Sequence, residues 1–123
     1  MENTVLEKFH QGRQSLGTFS AIGSPLAVES LRYTGLDYVI VGTEHSPAGI
    51  ESAAAQIAAA QGAGLTALAR ANEISRTAVL RLLDVGAQGV VVPCVETVEE
   101  VRELVRYAKF APLGNRGFCP TRD

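Results

Sequence analysis

Four times along this chain a continuous apolar run is followed by a stretch with helical signals, and that alternation restricts the fold more than any other feature. The runs occupy residues 16–19, 37–41, 65–69 and 89–93. Asp37-Tyr38-Val39-Ile40-Val41 and Gly89-Val90-Val91-Val92-Pro93 do not alternate apolar with polar residues, which marks strands buried on both faces. Such strands, joined by crossover helices, pair in parallel. The expected fold class is α/β.

The helical stretches carry their own start and stop signals. Ser24-Pro25 offers an N-cap and a proline at the first helical position, where its missing N–H would be unpaired anyway. That helix runs to about Tyr33 and stops at Gly35. An Ala-rich helix follows over about 50–61, closed by Gly62 and Gly64. Asn72 can cap a third helix, with Ile74, Ala78, Leu82 and Val85 as its apolar face and Gly86 at the left-handed C-cap position. Thr97-Val98-Glu99-Glu100 has capping-box spacing and opens a fourth, with Val98, Val101, Leu104, Val105 and Ala108 on one side. A short helix over 4–10 precedes the first strand.

Two architectures accommodate four β–α units: an open four-stranded sheet, or the first half of a (β/α)8 TIM barrel, which normally needs ~250 residues. The stretch 111–123, rich in Pro, Gly, Asn and Arg, reads as a loop leading to a missing second half. This favours the half barrel, with residues 1–123 as a single partial domain.

Composition narrows the function classes. At 123 residues and 46% hydrophobic the chain can build one core, and its net charge of -2 argues against a nucleic-acid partner. No apolar run approaches the ~20 residues that cross a bilayer, so no membrane partner is expected. Two cysteines, Cys94 and Cys119, cannot staple a secreted scaffold, and a cytoplasmic location is expected.

In either architecture a ligand site lies at the carboxyl ends of the strands. The polar residues there are Ser20, Thr43-Glu44-His45, Arg70 and Cys94. Ser20, His45 and Arg70 recur at equal intervals of 25 residues, so they are expected to converge. His45 is the natural proton carrier at neutral pH, and a surface loop histidine is the plain alternative. Arg70 ends the apolar run Leu65 to Ala69, where its guanidinium needs an anionic partner. That partner is either a bound carboxylate or phosphate, or Glu44 in a structural ion pair. Glu44 itself suits a base, a metal ligand or an acceptor of backbone N–H groups. Cys94 reads as a small buried hydrophobe, Cys119 as exposed, and His10 as solvent-facing on the leading helix.

These residues resemble a known family. Gly35-Leu36-Asp37-Tyr38-Val39-Ile40-Val41 followed by Glu44-His45-Ser46-Pro47 is similar to the "G-hydrophobic-D … D-x-E-H-x-P" segment of the HpcH/HpaI class II pyruvate aldolases. Ala69-Arg70, Leu82-Leu83-Asp84-Val85-Gly86-Ala87-Gln88-Gly89 with Val91-Val92-Pro93, and Pro112-Leu113-Gly114-Asn115-Arg116-Gly117 follow in family order. The resemblance covers the whole chain and implies the N-terminal half of a TIM barrel. It implies a carbon-carbon lyase that cleaves a 4-hydroxy-2-oxo acid, such as 2,4-dihydroxyhept-2-ene-1,7-dioic acid, to pyruvate and an aldehyde. His45 would be the acid/base and Arg70 would hold the pyruvate carboxylate and enolate, with Ser20 a further substrate contact. A divalent metal (Mg2+, Mn2+ or Co2+) is implied, with ligands from the second half of the barrel and none in this chain. A homo-oligomer is implied too, usually a hexamer.

Two departures stand out. The family aspartate three residues before the histidine is Gly42 here, and the family's metal-binding Glu and Asp would lie beyond residue 123. The 123-residue segment alone is therefore expected to be inactive. The alternative expectation is a non-catalytic half-barrel fragment or interaction module lacking the metal ligands.

Overall fold

A computed structural model describes residues 2–47 and 49–119. The elements run α1 (Thr4–His10), β1 (Gly17–Ser20), α2 (Pro25–Ser30), β2 (Tyr38–Gly42), α3 (Ile50–Gly62), β3 (Thr66–Arg70), α4 (Arg76–Asp84), β4 (Gly89–Val91) and α5 (Val98–Ala108), with a single 3-10 turn, Leu31–Tyr33, after α2. The strands pair in parallel in the order β1-β2-β3-β4, with Gly17 opposite Tyr38, Tyr38 opposite Thr66 and Leu68 opposite Gly89. Each strand thus lies beside the one before it in sequence. Because such crossovers share one hand, successive steps in one direction leave every helix on the same side of the sheet. That is barrel geometry; a doubly wound sheet reverses direction part-way and covers both faces.

The core is the layer between the sheet and these helices. Val39, Val41, Ala67 and Ala69 alternate toward Val28 of α2 and Ala53, Ile57 and Ala60 of α3, all buried. The opposite face carries Phe19, Ile40 and Leu68, and Phe19 is 54% exposed. Burial on both faces, expected from the apolar runs, is therefore met on one face only among the described residues. An apolar run looks the same whether its second face meets helices or the interior of a barrel.

Local signals set most boundaries. The Ser24 and Thr97 side chains cap α2 and α5, the latter through a complete capping box with Glu100. Gly86 has φ +100°, the left-handed conformation that ends α4. The start of α4 differs from expectation: Ser75, not Asn72, accepts the Ala78 N–H at 3.1 Å, so Ile74 lies outside the helix. After α5 the chain doubles back. Asn115 N–H donates to Arg106 O at 2.8 Å and Arg116 N–H to Lys109 O at 2.9 Å, and Arg116 reaches Asp84 at 2.9 Å. Gly114 is obligatory there, since a Cβ would overlap the Lys109 and Arg106 carbonyl oxygens. The last part of the expected 111–123 loop, residues 120–123, lies outside the described residues.

At the amino ends of the strands α1 closes the structure. Thr4 N–H donates to Thr66 Oγ1 at 3.0 Å, and Lys8 Nζ meets Asp37 Oδ1 at 2.6 Å. Asp37 Oδ2 also accepts the Leu16 N–H at 2.8 Å. The Lys8 hydrogen bond, then the Leu16 N–H, hold the Asp37 carboxyl below its ordinary value. A carboxyl depressed in the folded state stabilises above its unfolded pKa, and loses that contribution as pH falls through the folded one. Asp37→Asn is expected to cost about 1–3 kcal/mol near neutral pH. It should also flatten the fall in stability between about pH 5 and lower pH, where Asp37 takes up its proton. Urea melts across that range check both effects; an unchanged acid limb would take Asp37 out of the account.

Candidate active site

At the carboxyl end of the sheet, β2 ends at Gly42 and β3 at Arg70, which are register partners. Thr43 fastens the two ends: its N–H and its hydroxyl both donate to the Arg70 carbonyl, at 3.2 and 2.7 Å. The Ser46 hydroxyl donates to Gly42 O at 2.9 Å, curling the segment after β2 back over the strand end. Glu44 and His45 are carried on this curl.

By strand alternation Arg70 and Gly42 lie on the face that bears Phe19, Ile40 and Leu68. The guanidinium carbon of Arg70 sits 5.0 Å from the centroid of the Phe19 ring, close enough for a cation–π contact. β2 lies between their two strands, and its Gly42 has no side chain to fill the space. A Cβ there would meet only the Ser20 carbonyl oxygen, at 3.7 Å, an ordinary contact.

Glu44 stands between the two ionisable partners. Its Oε2 is 3.0 Å from Arg70 Nε and its Oε1 is 3.6 Å from His45 Nε2. The Glu44 and Arg70 side chains are mostly buried, whereas that of His45 is 74% exposed. Arg70 Nε is buried without an aligned hydrogen bond, so its contact with Glu44 is one of charge. Among the described residues no hydrogen bond reaches the two terminal nitrogens of Arg70.

Of the residues expected to converge, the structure brings Arg70 and His45 to one carboxylate. Ser20 is buried with its hydroxyl toward the helices, donating to Gln56 Oε1 at 2.8 Å. Its carbonyl, rather than its hydroxyl, lies beside Gly42. Cys94 and Cys119 are exposed free thiols, and Cys94 has φ +57°, a conformation uncommon outside glycine.

Two contributors escape a reading of sequence alone. Phe19 looks like any strand residue until the register puts it beneath Arg70. Gln56 is fully buried and anchors a network: its amide donates to Ser52 O and Ser52 Oγ, both at 3.3 Å, and Ser52 Oγ to Gly23 O at 3.5 Å. This ties the β1–α2 loop to α3. Its signal was spacing, since a glutamine between Ala53, Ile57 and Ala60 falls on the buried stripe.

The divalent metal that the resemblance implies has no seat among the described residues. Among the described residues no group of three or more His, Cys, Asp or Glu could hold an ion, and Glu44 already contacts Arg70 and His45. The residues present do not fit a divalent metal by themselves.

The HpcH/HpaI aldolase/citrate lyase family model matches residues 15–121. The chain belongs to that family. Its HpcH/HpaI relatives include a hydroxypyruvate/pyruvate aldolase of Roseovarius nubinhibens, 33% identical over 94% of this chain and 45% of the relative. A 4-hydroxy-2-oxo-heptane-1,7-dioate aldolase of Escherichia coli is 30% identical over 95% of this chain and 45% of its own length. Among solved structures, an HpcH/HpaI aldolase from Desulfitobacterium hafniense superposes with TM-score 0.88 at 35% identity, covering 96% of this chain and 46% of that one. The citrate synthase SbnG gives TM-score 0.91 at 29% identity, covering 98% and 49%. The chain thus spans a little under half the length of the HpcH/HpaI relatives it matches, and its four β–α units are those of the first half of a TIM-barrel-like fold. No helix among the described residues is long and apolar enough to cross a membrane.

Proposed function

We propose that this chain supplies the carboxylate-binding and proton-handling side of a pyruvate aldolase site. The observation that carries the reading is Arg70: Glu44 lies against its Nε, and neither terminal nitrogen is engaged in a hydrogen bond among the described residues. A planar fork held from behind suits the carboxylate of a 2-oxo acid, which takes two parallel charge-assisted hydrogen bonds. Cleavage of a 4-hydroxy-2-oxo acid breaks the C3–C4 bond. Its electron pair stays on the pyruvate enolate, and C4 leaves as an aldehyde once its hydroxyl has lost a proton. Arg70 stabilises the developing enolate charge, and His45 exchanges the proton through a water. Ser20 shapes the site by its backbone carbonyl next to Gly42. The divalent metal of this reading takes its ligands from outside residues 2–119, and the protein works as a homo-oligomer in the cytoplasm.

A second reading, a non-catalytic half-barrel that pairs through its open sheet face, draws on the exposed Phe19. Exchange of the pyruvate methyl protons in D2O with Mg2+ or Mn2+ present tests the first reading directly. Loss of the methyl signal above the buffer rate, abolished in His45→Asn, is the expected result. In the complete barrel, absence of exchange together with absence of oxamate binding would hand the protein to the second reading. Mass spectrometry of the native polypeptide accompanies the assay, since a mass near twice 13.0 kDa would bring a complete barrel to it.

A further inference from the structure

We propose that Glu44 is the positioning residue for His45 in this protein, doing from the curl after β2 what a side chain at position 42 cannot do here. The inference deepens the aldolase reading and rests on it for its kinetic half. Three observations meet. Gly42, in register with Arg70, offers no group to the histidine. Glu44 is the one carboxylate that ion-pairs with either cation among the described residues, with one oxygen toward each. Its own place is set twice, by Arg70 Nε at 3.0 Å and by the curl that Ser46 ties to Gly42 O.

At 3.6 Å the contact to Nε2 is longer than a hydrogen bond, so Glu44 biases the direction of the ring through charge and dipole rather than by a fixed bond. An exposed imidazole otherwise samples several rotamers, and orientation of the proton carrier is what such a neighbour supplies. Arg70 does not have to release Glu44 to bind a substrate carboxylate, because its terminal nitrogens are separate from Nε.

The test uses the isosteric Glu44→Gln, which removes charge and keeps shape. In the histidine-labelled protein, with the His45 signals assigned by His45→Asn and the ring protonated, NMR relaxation reports ring order. Glu44→Gln is expected to loosen the His45 ring to the level of His10, which sits exposed on α1. The same variant should lower kcat for pyruvate methyl exchange about 10–100-fold without raising KM. Gly42→Asp placed in the Glu44→Gln background should recover order and rate, since a Cβ at 42 meets nothing closer than 3.7 Å. Unchanged ring order in a folded Glu44→Gln protein overturns the proposal whatever the kinetics. A raised KM with unchanged kcat overturns it too, because Glu44 would then serve Arg70 alone. A ring that loosens in a protein with no exchange activity keeps the positioning role and removes the aldolase reading instead.

Discussion

Arg70→Lys is expected to weaken oxamate and pyruvate binding by roughly 2–5 kcal/mol, the range for disrupting a buried hydrogen-bonded charge pair. That corresponds to a loss of about thirty- to several-thousand-fold in affinity. Lysine keeps the charge and can still approach Glu44, but it has no planar fork for a carboxylate and stacks less well on Phe19. Titration of the complete barrel with oxamate in the presence of Mg2+ reads the affinity, and a thermal melt of the same sample reads the fold. Were Arg70 only the structural partner of Glu44, the melt would move and the affinity would not. A destabilised variant with normal oxamate binding would take Arg70 out of the ligand site.

The largest effect on stability is expected at Ile57. Its side chain on α3 is fully buried against the sheet, beside Val39, Val41 and Ala67 in the one core layer. Truncation to alanine removes buried apolar surface and leaves a cavity that neighbours such as Ala53 and Ala60 are too short to fill. Ile57→Ala should cost about 2–5 kcal/mol, against a total of roughly 5–15 kcal/mol for a domain. Leu113→Ala, at a position 75% exposed, serves as the control and should change little. Chemical denaturation of both variants checks the contrast. Equal costs would mean that the layer between sheet and helices is not where the stability resides.

Much of this arrangement was legible before any coordinates. Caps at Ser24 and Thr97 and the left-handed Gly86 are backbone chemistry written in single residues, and they set helix ends close to the observed ones. The start of α4 was not, because Asn72 and Ser75 are both good caps and only tertiary packing chooses between them. The face a strand residue points to was the harder question. Equal spacing brings Ser20 and Arg70 to the ends of their strands, yet Ser20 is in register with Val41, and Arg70 with Gly42. A single step along a strand exchanges the two sides of the sheet, so one hydroxyl meets Gln56 and the other side chain meets Glu44. Sequence carried the nature of the candidate site in His45 and Arg70. Glu44 was also legible there as one of two partners for Arg70, and the ion pair is present; the ring beneath them needed the register.

The order of the strands also bears on how this chain comes to be folded. Every pairing joins neighbours in sequence: Gly17 reaches Tyr38, Tyr38 reaches Thr66, and Leu68 reaches Gly89, so each closure spans a single β–α unit. The entropic cost of closure grows only slowly with length, and no strand here has to wait for a distant partner. On a ribosome that makes roughly 5–20 residues each second, β1 can dock on β2 within seconds of leaving the exit. α3 then seals the pair while β3 is still being made. A doubly wound sheet, whose first strand waits in the middle for partners on both sides, has no such running order. Assembly here can follow synthesis one unit at a time, leaving only the growing edge of the sheet unpaired on that side.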